Sequence, residues 1–173
     1  MLFRSLRGTD YAGTPLTVEC VYSLPASYDA RGGVLVGTYT GGDEDQINLE
    51  VYSGGKLRLW YKVNGETFIL YFSTDVRGEG YRHLALTVDG TTVRLYLDGV
   101  LAETKELPSA LPAVPGEFCF GGDFRANNAQ YFKGVLLGVH LFDTVRTDAE
   151  IKEDAIMVAA GTPHLIDSVY FTA

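Results

Sequence analysis

The sequence predicts an all-β fold of antiparallel strands with one short helix near its C-terminal end. Three observations predict it. Apolar and polar residues alternate with period two, Gly-containing dipeptides punctuate the alternating segments, and one capping box precedes a helical apolar stripe. The composition agrees, because 20 Gly, 11 Tyr and 9 Phe against 2 Met among 173 residues suit strands joined by tight turns.

Taken in order, Leu16, Val18, Cys20 and Tyr22 share one face of a first strand, and Thr17, Glu19 and Ser23 share the other. Gly54-Gly55, Asn64-Gly65, Asp89-Gly90 and Asp98-Gly99 then read as four two-residue turns, since these dipeptides tolerate the positive φ of tight hairpins. They delimit strands over roughly 46–52, 56–63, 66–73, 82–88, 91–97 and 100–105. Hairpins in series need no crossover helices, so the pairing is antiparallel. Pro108, Pro112 and Pro115 mark a long connection, and strands resume near Glu117–Phe120 and Val135–Phe142. Thr147-Asp148-Ala149-Glu150 is the capping box. Ile151, Ala155, Val158 and Ala159 form the stripe after it, and Gly161 and Pro163 stop the helix. Leu57, Leu59, Leu84, Leu86, Val93, Leu95 and Leu97 are the expected core.

No Pro/Gly/Ser-rich linker divides the chain, so residues 1–173 are read as one domain, expected to be a part of a longer protein. The formal charge is 14 minus 22, or −8. That balance disfavours nucleic acid and anionic membrane surfaces as partners. No apolar run reaches the ~20 residues of a membrane helix, so membrane insertion is not expected. Cys20 and Cys119 sit in apolar runs without C-x-x-C spacing, and are either two buried thiols or one disulfide.

The stretch G-Y-R-H-L-A-L-T-V-D-G-T-T-V-R-L-Y-L-D-G-V (Gly80–Val100) resembles the signature of laminin-G-like domains, in the concanavalin-A-like lectin group. Phe120-Gly121-Gly122, Phe132-Lys133-Gly134 and the early L-T-V-E-C-V-Y follow the family's order, and the resemblance runs from about Leu6 to Gly161. It implies a two-sheet jelly-roll sandwich. It also implies a binding role toward glycans or proteins in secreted or surface settings. Leu137 and Gly138 stand where members often carry an acidic pair associated with structural calcium.

The chain is expected not to be an enzyme. The superfamily's glucan-cleaving members carry E-x-D-x-x-E on one strand face, flanking the bond to be cut. Here the dense acidic run is Asp43-Glu44-Asp45, a different spacing, which reads as a solvated loop or as a ligand-contacting one. His83, His140 and His164 are scattered and match no nucleophile motif. His83 and His140 read as ordinary polar-face strand residues.

The most informative pattern lies in 56–63. Leu57, Leu59, Tyr61 and Val63 make a core face, which puts Arg58 and the single Trp, Trp60, on the other side. The same alternation turns Arg94 and Tyr96 away from Val93, Leu95 and Leu97. Aromatic faces stack on sugar rings while Arg and Tyr bond hydroxyls, so Arg58, Trp60, Arg94 and Tyr96 are expected to share one ligand face. The alternative is that a loop or a cation–π contact with Arg58 covers Trp60. Asp43, Asp45, Phe124 and Asn128 are candidate loop contacts, and Asp123 and Asn127 candidate calcium ligands; no other cofactor is suggested. The expected function is thus a non-catalytic module for a glycan or protein surface. Its rivals are an assembly component that self-associates and, behind it, a glycan-cleaving enzyme. An extracellular or surface location follows from the resemblance.

Overall fold

The fold is that of a computed structural model, which describes residues 6–7, 15–28, 33–39, 46–113, 117–122 and 131–160. The elements are β1 (Leu6–Arg7), β2 (Leu16–Ser23), β3 (Gly33–Tyr39), β4 (Gln46–Val51), β5 (Lys56–Val63), β6 (Glu66–Asp75), β7 (Arg82–Asp89), β8 (Thr92–Leu97), β9 (Val100–Glu106), β10 (Glu117–Phe120), β11 (Val135–Phe142) and α1 (Asp148–Ala159). They form two antiparallel sheets, one of six strands in the order β1-β10-β3-β4-β5-β6 and one of five in the order β11-β2-β7-β8-β9. Each sheet belongs to its own compact unit, the first built on Met1–Gly13, Ser27–Val76 and Ser109–Lys133, the second on the remaining segments.

In the six-stranded unit the Asn64-Gly65 turn fixes the β5–β6 register. Both residues take positive φ, 50° and 84°, and pairs count outward from Val63↔Glu66 to Trp60↔Ile69 and Arg58↔Tyr71. The β4–β5 connection is longer than a two-residue turn. A 3-10 turn over Ser53–Gly55 sits inside it, closed by the Tyr52 amide donating to the Lys56 carbonyl. The sequence reading assigns no strand to 33–39. Gly33, Val34, Leu35 and Val36 are all buried, and the β3–β4 register shifts between Val34 and Val36. A strand buried on both faces and bulged loses the alternation by which strands are recognised.

In the five-stranded unit Asp98 and Gly99 adopt the same paired positive φ, 52° and 76°. The turn before it consists of Gly90 and Thr91, because Asp89 already pairs with Thr92. That moves the expected Asp89-Gly90 turn on by one residue. Leu57, Leu59, Leu84, Leu86, Val93 and Leu95 are buried as expected. Leu97 is half-buried, because it pairs with Leu84 at the last step before the turn. Cys20 and Cys119 are buried and not joined in a disulfide, and burial, then the Glu19 charge, pushes the Cys20 thiol far up.

The helix forms where the capping box predicts. The Thr147 hydroxyl accepts from the Glu150 amide at 3.3 Å, and the Thr147 amide donates back to Glu150 Oε2 at 2.8 Å. The Thr147 amide, and then the Thr147 hydroxyl donating to the same Oε2 at 2.8 Å, hold the exposed Glu150 carboxyl below its ordinary range. Of the expected stripe only Ile151 and Ala155 are buried, and Ile151 packs with Ala85 and Tyr96 of the five-stranded sheet. Gly99 makes the close approach possible, since a Cβ there would lie 2.9 Å from Ala155 Cβ. Among the described residues no helix is long and apolar enough to cross a membrane.

Candidate functional site

The four residues expected to share one ligand face lie on two different sheets. Arg58 and Trp60 belong to β5 of the six-stranded sheet, whereas Arg94 and Tyr96 belong to β8 of the five-stranded one. The alternation places each pair correctly on a non-core face, but strand alternation carries no information about which sheet a strand joins.

Tyr96 is moreover 2% exposed. It lies under α1, and its hydroxyl donates to Asp148 Oδ1 at 2.7 Å. Burial, and then the hydrogen bond and charge of Asp148, push its phenol up to about 12. A buried tyrosine whose hydroxyl is engaged by the helix offers nothing to a ligand. Arg94 is half-buried on the same face, between Thr87 and Thr104 in the register.

Also under α1 stands a cluster of charges. Glu19 on β2 is 3% exposed; His83 Nε2 lies 2.9 Å from its Oε2, and Arg146 Nε lies 3.0 Å from its Oε1. The Arg146 contact is an ion pair without hydrogen-bond alignment, so among the described residues Oε1 has charge compensation but no directional donor. Arg146 also pairs with Asp154 of the helix and stacks 4.5 Å over the Phe142 ring. His83 is therefore a buried partner of a carboxylate, contrary to its reading as an ordinary polar-face residue. The half-buried His140 is held below its ordinary pKa chiefly by burial. Burial, then the Glu19 charge, raises the Asp154 carboxyl. A raised carboxyl beside a second carboxylate is a feature of acid–base sites, but a glycosidase needs the pair to flank an accessible bond. Glu19 is buried and already engaged by His83 and Arg146. The cluster thus reads as a clamp holding the helix to its sheet.

The non-core face of the six-stranded sheet is built differently. Gln46, Asn48 and Glu50 on β4 stand opposite Lys62, Trp60 and Arg58 on β5, which stand opposite Thr67, Ile69 and Tyr71 on β6. Gly37 makes room for the Asn48 carboxamide, because a Cβ there would meet Asn48 Oδ1 at 2.2 Å. Arg58 Nε and Nη2 both donate to Glu50 Oε2, at 3.0 and 2.8 Å. The Tyr52 ring lies against this guanidinium, 4.7 Å from Cζ to centroid, and Tyr71 meets Tyr52 edge-on at 5.6 Å. Glu50 and Arg58 are 1% and 9% exposed. Exposure rises toward β6, where Ile69 is 38% and Tyr71 49% exposed, and Trp60 is half-buried between the two zones. The result is a strip of Trp60, Ile69 and Tyr71 beside a buried polar row in which Glu50 and Arg58 neutralise each other.

Tyr71, Tyr52 and the Asn48–Glu50 floor are absent from the sequence-predicted site. The signal for Tyr71 was available, since counting pairs outward from the Asn64-Gly65 turn brings it beside Arg58. Asp43, Asp45, Asp123, Phe124, Asn127 and Asn128 lie outside the described residues. Among the described residues no group of three His, Cys, Asp or Glu could hold a metal ion, and Leu137 and Gly138 bring no carboxylate to the position associated with calcium. The described residues therefore do not fit a calcium site. A concavity of about 420 Å³ lies beside the helix, with Tyr81, Arg82, Asp98, Val100, Lys152 and Ile156 in its walls.

An antiparallel two-sheet jelly-roll sandwich with one helix is the fold class. The chain belongs to the concanavalin A-like lectin/glucanases superfamily (Laminin_G_3), which matches residues 6–152. Solved structures agree on the fold. The CBM40 of the Ruminococcus gnavus IT-sialidase, bound to α2,3-sialyllactose, superposes with a TM-score of 0.62 at 17% identity, covering 88% of this chain and 97% of that one. Domain 4 of the Geobacillus stearothermophilus extracellular arabinanase AbnA, in complex with arabinotriose, gives 0.65 at 16% identity, covering 86% and 71%. Mouse laminin α1 domains LG4-5 give 0.61 at 12% identity, covering 81% of this chain and 38% of that one. No curated protein matches the chain.

Proposed function

We propose that this chain is a non-catalytic glycan-binding module whose ligand lies along Trp60, Ile69 and Tyr71 on the outer face of the six-stranded sheet. The observation that carries the reading is the accessible aromatic strip beside the immobilised Glu50–Arg58–Tyr52 group. Sugar rings present apolar C–H faces and hydroxyl edges, which aromatic stacking and fixed polar groups complement respectively. The solved relatives bound to sialyllactose and arabinotriose support a glycan over a protein surface. Asp43, Asp45, Phe124 and Asn128 remain proposed loop contacts, and an extracellular or surface setting within a larger protein is part of the same proposal. Tyr96 is withdrawn from the ligand face by its burial, and Arg94 by its place on the other sheet.

The test is a glycan array probed with wild type, Trp60→Ala and Tyr81→Ala. Binding lost in Trp60→Ala and kept in Tyr81→Ala supports the strip. The reverse pattern moves the site to the cleft beside the helix, and hydrolysis of a bound glycan by the isolated chain contradicts the non-catalytic reading.

A further inference from the structure

Resting on that glycan reading, we infer that the strip takes an uncharged saccharide, and that the Glu50–Arg58 pair is what denies acidic sugars a place there. A sugar carboxylate or sulfate is held most effectively by a guanidinium fork with free, parallel N–H donors. Among the described side chains of β4, β5 and β6, Arg58 is the guanidinium on this face, and two of its donors already converge on one oxygen of Glu50. Its flank is closed by the Tyr52 ring. An anion approaching Arg58 therefore meets the Glu50 carboxylate in the same place. Displacing that carboxylate would strand a charge that is 1% exposed.

The neighbouring floor positions are amides. Gln46 and Asn48 are buried and uncharged, so they bring no charge to the edge of the strip. Lys56 stands opposite Asp75 in the register, a charge of opposite sign on the neighbouring strand. Lys62 stands half-buried opposite Thr67, at the end of β5 beyond Trp60, and an ammonium is a point charge and not a fork. At longer range the chain's net −8 repels anions before contact. The relative bound to sialyllactose shares the fold, and the fold alone does not carry ligand charge preference.

The experiment sets the intact chain against an array of neutral arabino-, gluco-, galacto- and manno-oligosaccharides beside sialylated, sulfated and uronate-bearing ones, with Trp60 emission followed in solution for each hit. The expected result is binding confined to neutral chains, at least about tenfold tighter than to any acidic counterpart, as unfavourable charge juxtaposition implies. Acidic glycans bound more tightly, with the signal lost in Trp60→Ala, would overturn the inference while keeping the glycan reading. No glycan bound at all would overturn both. Glu50→Gln should free the Arg58 fork and raise the affinity for sialylated or uronate glycans severalfold relative to neutral ones. If that variant does not fold, salt supplies the second readout: neutral-ligand affinity in wild type should change less than about twofold when added salt shortens the Debye length from ~10 to ~3 Å. A steep salt dependence would mean that a charged contact drives binding, and would count against the inference.

Discussion

The outer faces of the two sheets begin from the same sequence logic and end differently. On β5 and on β8 alike, alternate leucines and valines turn inward while an Arg and an aromatic turn outward. On β5 the outward pair borders an accessible strip, with Arg58 neutralised by Glu50 and Tyr71 half exposed. On β8 the outward aromatic is buried by a helix twelve residues long, through Ile151 on Ala85 and Tyr96 and through the Tyr96–Asp148 hydrogen bond. An outward-facing position is therefore not an available one. What decides availability is whether a distant segment carries a matching apolar stripe, and here α1 carries one for Ala85 and Tyr96.

The largest expected effect tests what the two sheets have in common. Leu59→Ala and Leu95→Ala remove fully buried side chains, and each should lower unfolding free energy by roughly 2–5 kcal/mol in a denaturant titration. A negligible loss at either one would mean that its sheet lacks the tightly packed inner face described here. Next comes the contrast itself. Trp60→Ala should cost at least ~2 kcal/mol of glycan binding, as aromatic anchors commonly do, with the circular dichroism spectrum unchanged. Thr147→Ala removes the cap that starts the covering helix. It should cost about 1 kcal/mol of stability and expose Tyr96 to solvent perturbants while leaving Trp60 as it was.

The smallest effect concerns pH. Burial lowers the folded-state pKa of His140 below its ordinary 6.5, so the imidazolium form favours the unfolded chain. His140 then subtracts stability as pH falls through 6.5, and the loss levels off below the folded value. Asp154 acts in the opposite sense, because its raised folded pKa stabilises the fold as pH falls toward it. Comparing urea midpoints of wild type and His140→Gln between about pH 7.5 and 5.5 isolates the first effect. A steeper fall in the variant than in wild type would reverse the sign assigned to His140.

Much of this was legible in the sequence because hairpin chemistry is local. Asn64-Gly65 and Asp98-Gly99 alone set two registers, the inward leucines, and the side on which Trp60 lies. Thr147 and Glu150 announced the helix start for the same reason. What stayed hidden depends on partners far apart along the chain. β10 pairs with β3, and β11 with β2, across long intervals. Glu19 finds His83 and Arg146 only in the folded sheet. The separation of Arg58 from Arg94 into different sheets is a matter of strand order, which alternation does not encode. The burial of Tyr96 required knowing where the helix would dock, and the Ala85–Tyr96 pair gives little local sign of it.

The central claim is that the Trp60 face is open to a glycan and the Tyr96 face is not. The most direct measurement is isothermal titration of one array-identified glycan into wild type, Trp60→Ala and Tyr96→Phe. The account predicts that Trp60→Ala abolishes measurable heat, while Tyr96→Phe binds as wild type does and loses only stability, through the missing bond to Asp148. Binding that survives in Trp60→Ala and fails in a folded Tyr96→Phe would contradict it.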